Sequence, residues 1–240
     1  MTRLSVNINK IATLRNARGG HSPNVVQFAI DAQRFGAQGI TVHPRPDQRH
    51  ITTEDCYNLA SVVSTEFNIE GYPDERYLKL IKDLRPDQAT LVPDPPKAIT
   101  SNAGWDCLAQ SEFLTPIIEE IKNLGVRVSL FIETDLNQIK KAKTLGADRI
   151  ELYTGPYATD FILGPQIAIK PYQEAVILAD ELGLGVNAGH DLNLQNLGFL
   201  KKSLLKLDEV SIGHALIADA LYLGIENTIQ RYLYELREAP

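Results

Sequence analysis

The chain has 240 residues, with 24 basic side chains, 30 acidic side chains and two cysteines. About 250 residues is a typical length for one α/β barrel, and a charged fraction of 22% is normal for a globular chain. The net charge of −6 argues against a nucleic-acid surface, and no apolar run reaches the ~18 residues that cross a bilayer. We therefore expect neither a nucleic-acid partner nor a membrane partner.

Cys56 and Cys107 are too few for a disulfide framework and lack the paired spacing of a zinc site. They predict free thiols in a reducing compartment. A first strand as early as residue 4 favours a chain without a removable leader. We therefore expect a cytoplasmic location.

Short apolar runs rich in β-branched residues alternate with longer amphipathic segments, a pattern typical of successive βα units. The predicted strands cover residues 4–9, 39–43, 67–70, 89–92, 127–132, 149–153, 185–187 and 209–212. The predicted helices cover residues 24–35, 53–66, 74–84, 114–124, 136–145, 171–182, 194–204 and 215–238. Residues 10–20, between the first strand and the first helix, are expected to form a basic loop.

A weak internal repeat supports this assignment. Gly36, Gly125, Gly146 and Gly183 each stand where a predicted helix ends and the chain must turn, in left-handed geometry, into the next strand. Eight units in this length favour a closed (β/α)8 TIM barrel over a doubly wound sheet. We expect one catalytic domain over residues 1–240, with extra short helices in the βα loops. No glycine-rich nucleotide turn follows the first strand, so a dinucleotide cofactor is disfavoured.

The active site of such a barrel lies at the carboxyl ends of its strands, and these ends are polar here. Histidines fall on or just after three of them, and carboxylates at two more. The residues concerned are Asn7, His43, Arg45, His50, Glu70, Glu151, His190, Gly213 and His214. Histidine and glutamate can exchange protons near neutral pH, which indicates general acid–base chemistry.

Two segments resemble phosphate sites. Gly213 and His214 lead into the last predicted helix, whose first amide groups would attract an anion. Arg15 and Arg18, next to Gly19 and Gly20, could bind phosphate together with Arg45. The first 30 residues hold four basic and no acidic side chains, which favours an anionic ligand at this end of the chain.

Motifs distributed over essentially the whole chain, in order, resemble the pyridoxine 5′-phosphate synthase family. They are residues 7–19 (NINKIATLRNARG), 39–45 (GITVHPR), 68–70 (NIE), 150–155 (IELYTG), 186–190 (VNAGH) and 212–215 (IGHA). The resemblance implies a (β/α)8 barrel that condenses 1-deoxy-D-xylulose 5-phosphate with 3-amino-2-oxopropyl phosphate. The products would be pyridoxine 5′-phosphate, phosphate and water, with no metal or organic cofactor. It also implies a homo-oligomer, an octamer in this family.

Position by position, the resemblance implies that His43 accepts a proton, Glu70 acts as a second acid or base, His190 donates a proton and Glu151 stabilises a charged intermediate. The amino ketone phosphate would meet Asn7, Arg18, Gly213 and His214, and the sugar phosphate would meet Arg45, His50 and Thr100. Asp191, next to His190, is also expected at the substrate site. The chain departs from the family pattern at Asn9 and Lys10, where Asp-His is common, and at Asp191, where Gly is common.

Three alternatives remain open from the residues alone. A Schiff-base aldolase would use Lys10 as its nucleophile. A metal-dependent hydrolase would use His43, His190, His214 and Glu70 as ligands. A non-catalytic barrel would bind a sugar phosphate without turning it over.

Overall fold

The computed structural model describes residues 1–94 and 101–237. Eight parallel strands form a closed barrel in sequence order, with the last strand paired to the first. The strands are β1 (Arg3–Asn7), β2 (Gly39–Val42), β3 (Glu66–Gly71), β4 (Gln88–Leu91), β5 (Arg127–Ile132), β6 (Arg149–Tyr153), β7 (Gly185–Gly189) and β8 (Glu209–Ile212). The predicted (β/α)8 barrel is confirmed.

Helices surround the barrel and also occupy its βα loops. They are α1 (Asn9–Arg18), α2 (Val25–Arg34), α3 (Thr53–Ala60), α4 (Glu75–Leu84), α5 (Ser111–Asn123), α6 (Leu136–Thr144), α7 (Gly155–Phe161), α8 (Pro165–Ala168), α9 (Lys170–Glu181), α10 (Leu197–Ser203), α11 (His214–Leu223) and α12 (Ile225–Glu235). The short helices α1, α7 and α8 lie in βα loops, as the predicted architecture required.

Three parts of the sequence-based assignment are wrong. The helix predicted over residues 53–66 ends at Ala60, and Glu66 begins β3. The first strand ends at Asn7 rather than Asn9, and helix α1 occupies the segment predicted as a basic loop. The single helix predicted over residues 215–238 is two helices, because Gly224 adopts a φ of +74° and ends α11. The four glycines of the internal repeat have φ values between +67° and +105°, which confirms their predicted left-handed geometry.

Local capping sets where several helices begin. The side chains of Asn24, Asp74 and Asp135 each accept a backbone hydrogen bond from the first turn of the helix that follows. Thr52 and Asp55 form a complete capping box at the start of α3. These caps fix where the chain turns from each loop into its helix.

The apolar core lies between the barrel and its helices. Alternate strand residues point outward and are fully buried there, as Leu4 and Val6 on β1 and Ile150 and Leu152 on β6 show. The inward residues are polar instead. A hydrogen-bonded ladder crosses the barrel, in which Ser5 contacts Thr41 at 2.7 Å and Thr90 donates to Asn68 at 3.0 Å. The barrel interior is therefore hydrophilic, and the titratable groups of the predicted site lie at its carboxyl-terminal end.

Candidate active site

Four predicted site residues meet at the carboxyl-terminal mouth of the barrel. Asn7 ends β1, His43 directly follows β2, Glu70 lies near the end of β3, and Glu151 lies in β6. Asn7 Nδ2 lies 3.5 Å from Glu70 Oε2, and His43 Nδ1 lies 3.7 Å from that same oxygen. The side chains from three strands therefore converge on the Glu70 carboxyl group.

His43 is buried, with a 6% exposed fraction. Burial first, and the positive charge of Arg45 second, hold the pKa of His43 well below its usual value. Its backbone amide donates to Asn9 Oδ1 at 2.9 Å, and Arg76 Nη2 donates to the carbonyl of the next residue, Pro44, at 2.7 Å. These two bonds fix the segment that carries a neutral imidazole into the mouth.

The carboxyl group of Glu70 has a strongly raised pKa. Burial, followed by the negative charge of Asp94, raises its pKa to about 8. Its only hydrogen-bond donors among the described residues, Asn7 and Ser211, stand at the 3.5 Å limit. Weak donation of this kind does little to stabilise the carboxylate, so the group keeps its proton at neutral pH.

The contact between His43 and Glu70 has ion-pair geometry, but the pKa shifts favour two neutral groups. The 3.7 Å separation exceeds a hydrogen bond, and burial opposes charge on both side chains. We therefore assign a neutral imidazole beside a protonated carboxyl group at pH 7. This arrangement pairs one proton acceptor with one proton donor at the same point of the mouth.

Glu151 is buried beside them, on β6. Burial and then the charge of Glu70 raise its pKa well above the usual value. Its Oε2 accepts no hydrogen bond from residues 1–94 or 101–237. Its Oε1 would lie only 2.4 Å from a Cβ on Gly189, so glycine at the end of β7 makes room for this carboxyl group. A buried carboxyl group with one free oxygen is suited to interact with charge that develops in a bound molecule.

The predicted sugar-phosphate residues lie next to His43. Arg45 is buried and forms an ion pair with Asp94 at 2.6 Å, and Ser101 Oγ donates to that same carboxylate at 2.6 Å. Burial and the charge of Arg45 lower the pKa of His50 to about 4. Thr100 lies outside the described residues. The Arg45 guanidinium is thus already partnered by a carboxylate at the edge of the mouth.

The two predicted phosphate sites differ in the structure. Gly213 immediately precedes α11 and His214 is its exposed first residue, so a helix does begin there. A Cβ on Gly213 would approach the Asn7 Cβ to 3.2 Å, so this turn lies against the end of β1. Arg15, by contrast, is held by Asp55 in a two-point ion pair at 2.5 and 2.8 Å.

That ion pair stabilises the packing of α1 on the start of α3, so the expected phosphate role of Arg15 is not supported. Arg18, at the end of α1, is exposed. It is the remaining guanidinium of the α1 segment that could meet an anion.

His190 and Asp191 directly follow β7. The His190 ring stands edge-on to Tyr153, with ring centroids 5.1 Å apart, and its Nδ1 lies 2.8 Å from Asp191 Oδ2. Both residues have positive φ values, of 88° and 58°. The structure thus places the Asp191 side chain on the His190 ring.

Sequence reasoning missed Asp94 and Tyr153, and it noted Asn9 only as a departure from the family pattern, although all three shape this site. Asp94 partners Arg45, Asn9 accepts the amide proton of His43, and Tyr153 packs against His190. Asp94 lies in the proline-rich segment that follows β4, and long βα loops are often functional. Tyr153 carries no comparable signal, because its role depends on a contact with His190, which is far along the chain.

The structure also bears on the alternative functions. Lys10 is exposed, so it lacks the desolvated pocket that activates a Schiff-base lysine. Within the described ranges, no three histidine, cysteine, aspartate or glutamate side chains are grouped so as to hold a metal ion. The proposed hydrolase ligands His43, His190, His214 and Glu70 therefore do not form a metal site.

Across the same ranges, no helix combines the length and apolar character needed to cross a bilayer.

Comparison with solved structures agrees with the fold. The chain superposes on thiamine phosphate pyrophosphorylase from Pyrococcus furiosus with a TM-score of 0.61 at 14% identity, covering 98% of this chain and 95% of that one. It matches phosphoribosyl anthranilate isomerase from Thermus thermophilus with the same TM-score at 12% identity, covering 98% of both chains. These likenesses show the fold alone. Fold and mouth together define a (β/α)8 barrel with titratable side chains gathered at the carboxyl ends of its strands.

Sequence comparison identifies the family. A family model described as "Pyridoxal phosphate biosynthesis protein PdxJ" matches residues 4–238. The chain is 59% identical over 238 residues to a pyridoxine 5′-phosphate synthase of Cytophaga hutchinsonii, covering 99% of this chain and all of the relative. It is 58% identical to one of Porphyromonas gingivalis, covering 98% and 99%. The chain belongs to the PdxJ family, and these relatives are synthases, so the family is one of enzymes.

Proposed function

We propose that this protein condenses 1-deoxy-D-xylulose 5-phosphate with 3-amino-2-oxopropyl phosphate to form pyridoxine 5′-phosphate, phosphate and water. Full-length similarity to relatives named pyridoxine 5′-phosphate synthase supports this. The single observation that carries the mechanism is the neutral His43 beside the protonated Glu70. The reaction class is a ring-closing condensation, formally a transfer.

The chemistry needs repeated proton transfers. An amine adds to a ketone, water leaves, a carbon–carbon bond closes the ring, and a phosphate departs. His43 accepts a proton and Glu70 donates one in the resting state, and the two exchange these roles as the reaction proceeds. General acid–base assistance of this kind contributes about 10²–10⁴-fold in rate.

Glu151 and His190 complete the proposed set. Glu151 stabilises a cationic intermediate. A positive charge beside the buried carboxyl group favours its ionised form, and the unpaired Oε2 can then face the cation. His190 donates a proton to a leaving group. No metal or organic cofactor is required for any of these steps.

Two phosphate-binding regions position the reactants. The amino ketone phosphate meets Asn7, Arg18, Gly213 and His214, where the start of α11 supplies backbone amide groups. The sugar phosphate meets Arg45, His50 and Thr100. Holding two anions in one mouth lowers the entropic cost of the first bond-forming step.

We also propose that the protein acts as a cytoplasmic homo-oligomer, an octamer as the resemblance implies. Helix α11 exposes Leu221 and Tyr222, with exposed fractions of 75% and 91%, and the α7–α8 segment exposes Ile162 and Leu163, each 86% exposed. Apolar side chains at such exposure are commonly covered in an assembly. Light scattering after size exclusion gives the number of subunits directly.

Incubation of the purified protein with both phosphates tests the function. We expect a new pyridine chromophore together with released inorganic phosphate, undiminished after exhaustive chelation. Metal-dependent activity would instead favour the hydrolase alternative. Covalent trapping of substrate on Lys10 by borohydride would favour the aldolase. Tight binding of the sugar phosphate by a protein that never turns it over would favour the non-catalytic barrel.

A further inference from the structure

The His190–Asp191 pair has a geometry that the proposed reaction does not use. Asp191 Oδ2 lies 2.8 Å from His190 Nδ1, although the aspartate side chain is 56% exposed. Both residues adopt left-handed backbone angles, with φ of 88° and 58°. Such angles are sterically unfavourable for most non-glycine residues, although aspartate and histidine tolerate them better than most. Such backbone conformations persist only where the surrounding structure holds them, and they cluster at functional sites.

Neighbouring groups hold this segment from several sides. The Thr154 hydroxyl lies 2.7 Å from the Gly189 carbonyl oxygen and 2.5 Å from that of His190. Asn196 Nδ2 donates to the Asp191 carbonyl at 3.2 Å. The Tyr153 ring stands nearly perpendicular to the His190 ring, at 81°. The backbone of this segment and the imidazole ring are therefore held in place, with the Asp191 carboxylate beside the ring.

We propose that Asp191 is a positioning residue that keeps a proton on Nδ1 of His190, so that Nε2 is the ring nitrogen through which His190 exchanges protons with the reactants. An ionised carboxylate only accepts hydrogen bonds, so the ring nitrogen facing it must carry the hydrogen. The neutral ring then presents a lone pair at Nε2, and the charged ring presents a proton there. A carboxylate that orients a catalytic histidine in this way fixes both its tautomer and its direction.

The proposal rests on the proposed role of His190 as a proton donor, and it assigns the Asp191 side chain to His190 rather than to a substrate phosphate. Two anions would repel each other at that point, whereas the imidazole offers a partner within hydrogen-bond distance. Glycine, the common residue of the family pattern here, fits the same backbone angle but offers no acceptor.

The tautomer can be measured without any turnover. Protein labelled with ¹⁵N-histidine is studied at a pH where the ring is neutral, and a His190→Gln variant assigns the His190 signals. We expect the hydrogen on Nδ1 in the wild-type protein and a shift toward the Nε2–H form in Asp191→Gly, whose backbone keeps the left-handed angle. The same tautomer in both proteins would overturn the proposal.

Kinetics give a second, independent readout. We expect Asp191→Gly to lower kcat about tenfold with KM nearly unchanged, below the usual 10²–10⁴-fold range of acid–base effects because Asp191 acts only through His190 and its carboxylate is half exposed. Asp191→Asn should lose more, because its amide can donate to Nδ1 and stabilise the wrong tautomer. A merely structural role gives the opposite order, since asparagine best imitates the shape and backbone angle.

Asp160→Asn is the matched control, because it makes the same chemical change at an exposed position of α7. It should leave kcat unchanged. An Asp191→Asn enzyme as active as wild type would overturn the positioning role. Wild-type protein that forms no pyridoxine 5′-phosphate would instead contradict the proposed function, and the tautomer measurement would still decide the His190–Asp191 relation.

Discussion

Two glutamates of strand β3 face the barrel interior four residues apart, and their surroundings are opposite. Glu66, at the amino-terminal end, forms ion pairs with Arg3 and Arg127, and Arg149 Nη1 lies 3.9 Å away. Glu70, at the mouth, has only weak donors, and its pKa is raised to about 8. At the amino-terminal end of the barrel, guanidinium groups neutralise the carboxylate of Glu66. At the mouth, the carboxyl group of Glu70 has no such partner and keeps its proton.

The difference separates a structural carboxylate, Glu66, from a proton-exchanging carboxyl group, Glu70, on the same strand. A buried carboxylate paired with arginines is stabilised in its charged form, which makes it a poor proton donor. A buried carboxyl group with no cation on it keeps a transferable proton. Residue type alone does not distinguish these two roles, because the deciding groups come from other strands of the barrel.

The largest expected effect is on turnover at the mouth. Glu70→Gln keeps the shape of the side chain but removes its transferable proton, so kcat should fall about 10²–10⁴-fold. Turnover is followed by the appearance of the pyridine chromophore, and substrate affinity is measured separately by calorimetry. Affinity should persist. Unchanged turnover in a correctly folded variant would remove Glu70 from the mechanism.

The next effect concerns stability at the opposite end. Glu66→Gln removes the negative charge that compensates Arg127 and Arg3, so the free energy of unfolding should fall by about 3 kcal/mol. Urea denaturation measures this loss, and Glu174→Gln, at an exposed position of α9, serves as the control. Turnover of the folded variant should change less than threefold. If Glu66→Gln instead matched the turnover loss of Glu70→Gln, the division between the two ends would be wrong.

A smaller effect is the pH dependence of stability. The pKa of Glu70 is about 8 in the folded protein, above the ordinary 4.5. Its contribution to stability is therefore fully present below about pH 4.5 and is lost as pH rises through 8. Glu70→Gln has no proton to lose, so its stability relative to wild type should rise between pH 5 and pH 9, by at most about 1.4 kcal/mol for each unit of the pKa shift. Denaturation at pH 5 and pH 9 measures this, and a constant difference between the two proteins would contradict the raised pKa.

The sequence predicts much of the fold because its signals are local. Buried strands such as residues 127–132 and 149–153 were assigned with the bounds that the structure has. Helix α1 escaped prediction because its apolar face is small, with only Ile11 and Ala12 buried. Its position depends instead on the ion pair between Arg15 and Asp55, which lie 40 residues apart.

The site was predictable only in part, for a related reason. The barrel topology brings strand ends together, so Asn7, His43, Glu70 and Glu151 could be grouped from their positions alone. The partners that set their protonation could not, because contacts such as Arg45 with Asp94 depend on loop geometry and register. The alternation of polar and apolar residues along β1 did carry a signal for the hydrophilic barrel axis, although parallel strands are usually apolar on both faces.

The smallest expected effect comes from Gly189, which shapes the mouth without any chemistry of its own. A Cβ there would overlap Glu151 Oε1, so Gly189→Ala must displace that carboxyl group. We expect about 1–2 kcal/mol of lost stability from overpacking. Because the Glu151 carboxyl group moves, kcat should fall about tenfold by misplacement of an interacting group. Gly164→Ala is the control, since an added Cβ there meets only ordinary contacts at 3.6 Å. A Gly189→Ala enzyme with wild-type turnover would show that the position of Glu151 is not critical, leaving Glu70 as the one mouth carboxyl group on which the reaction depends.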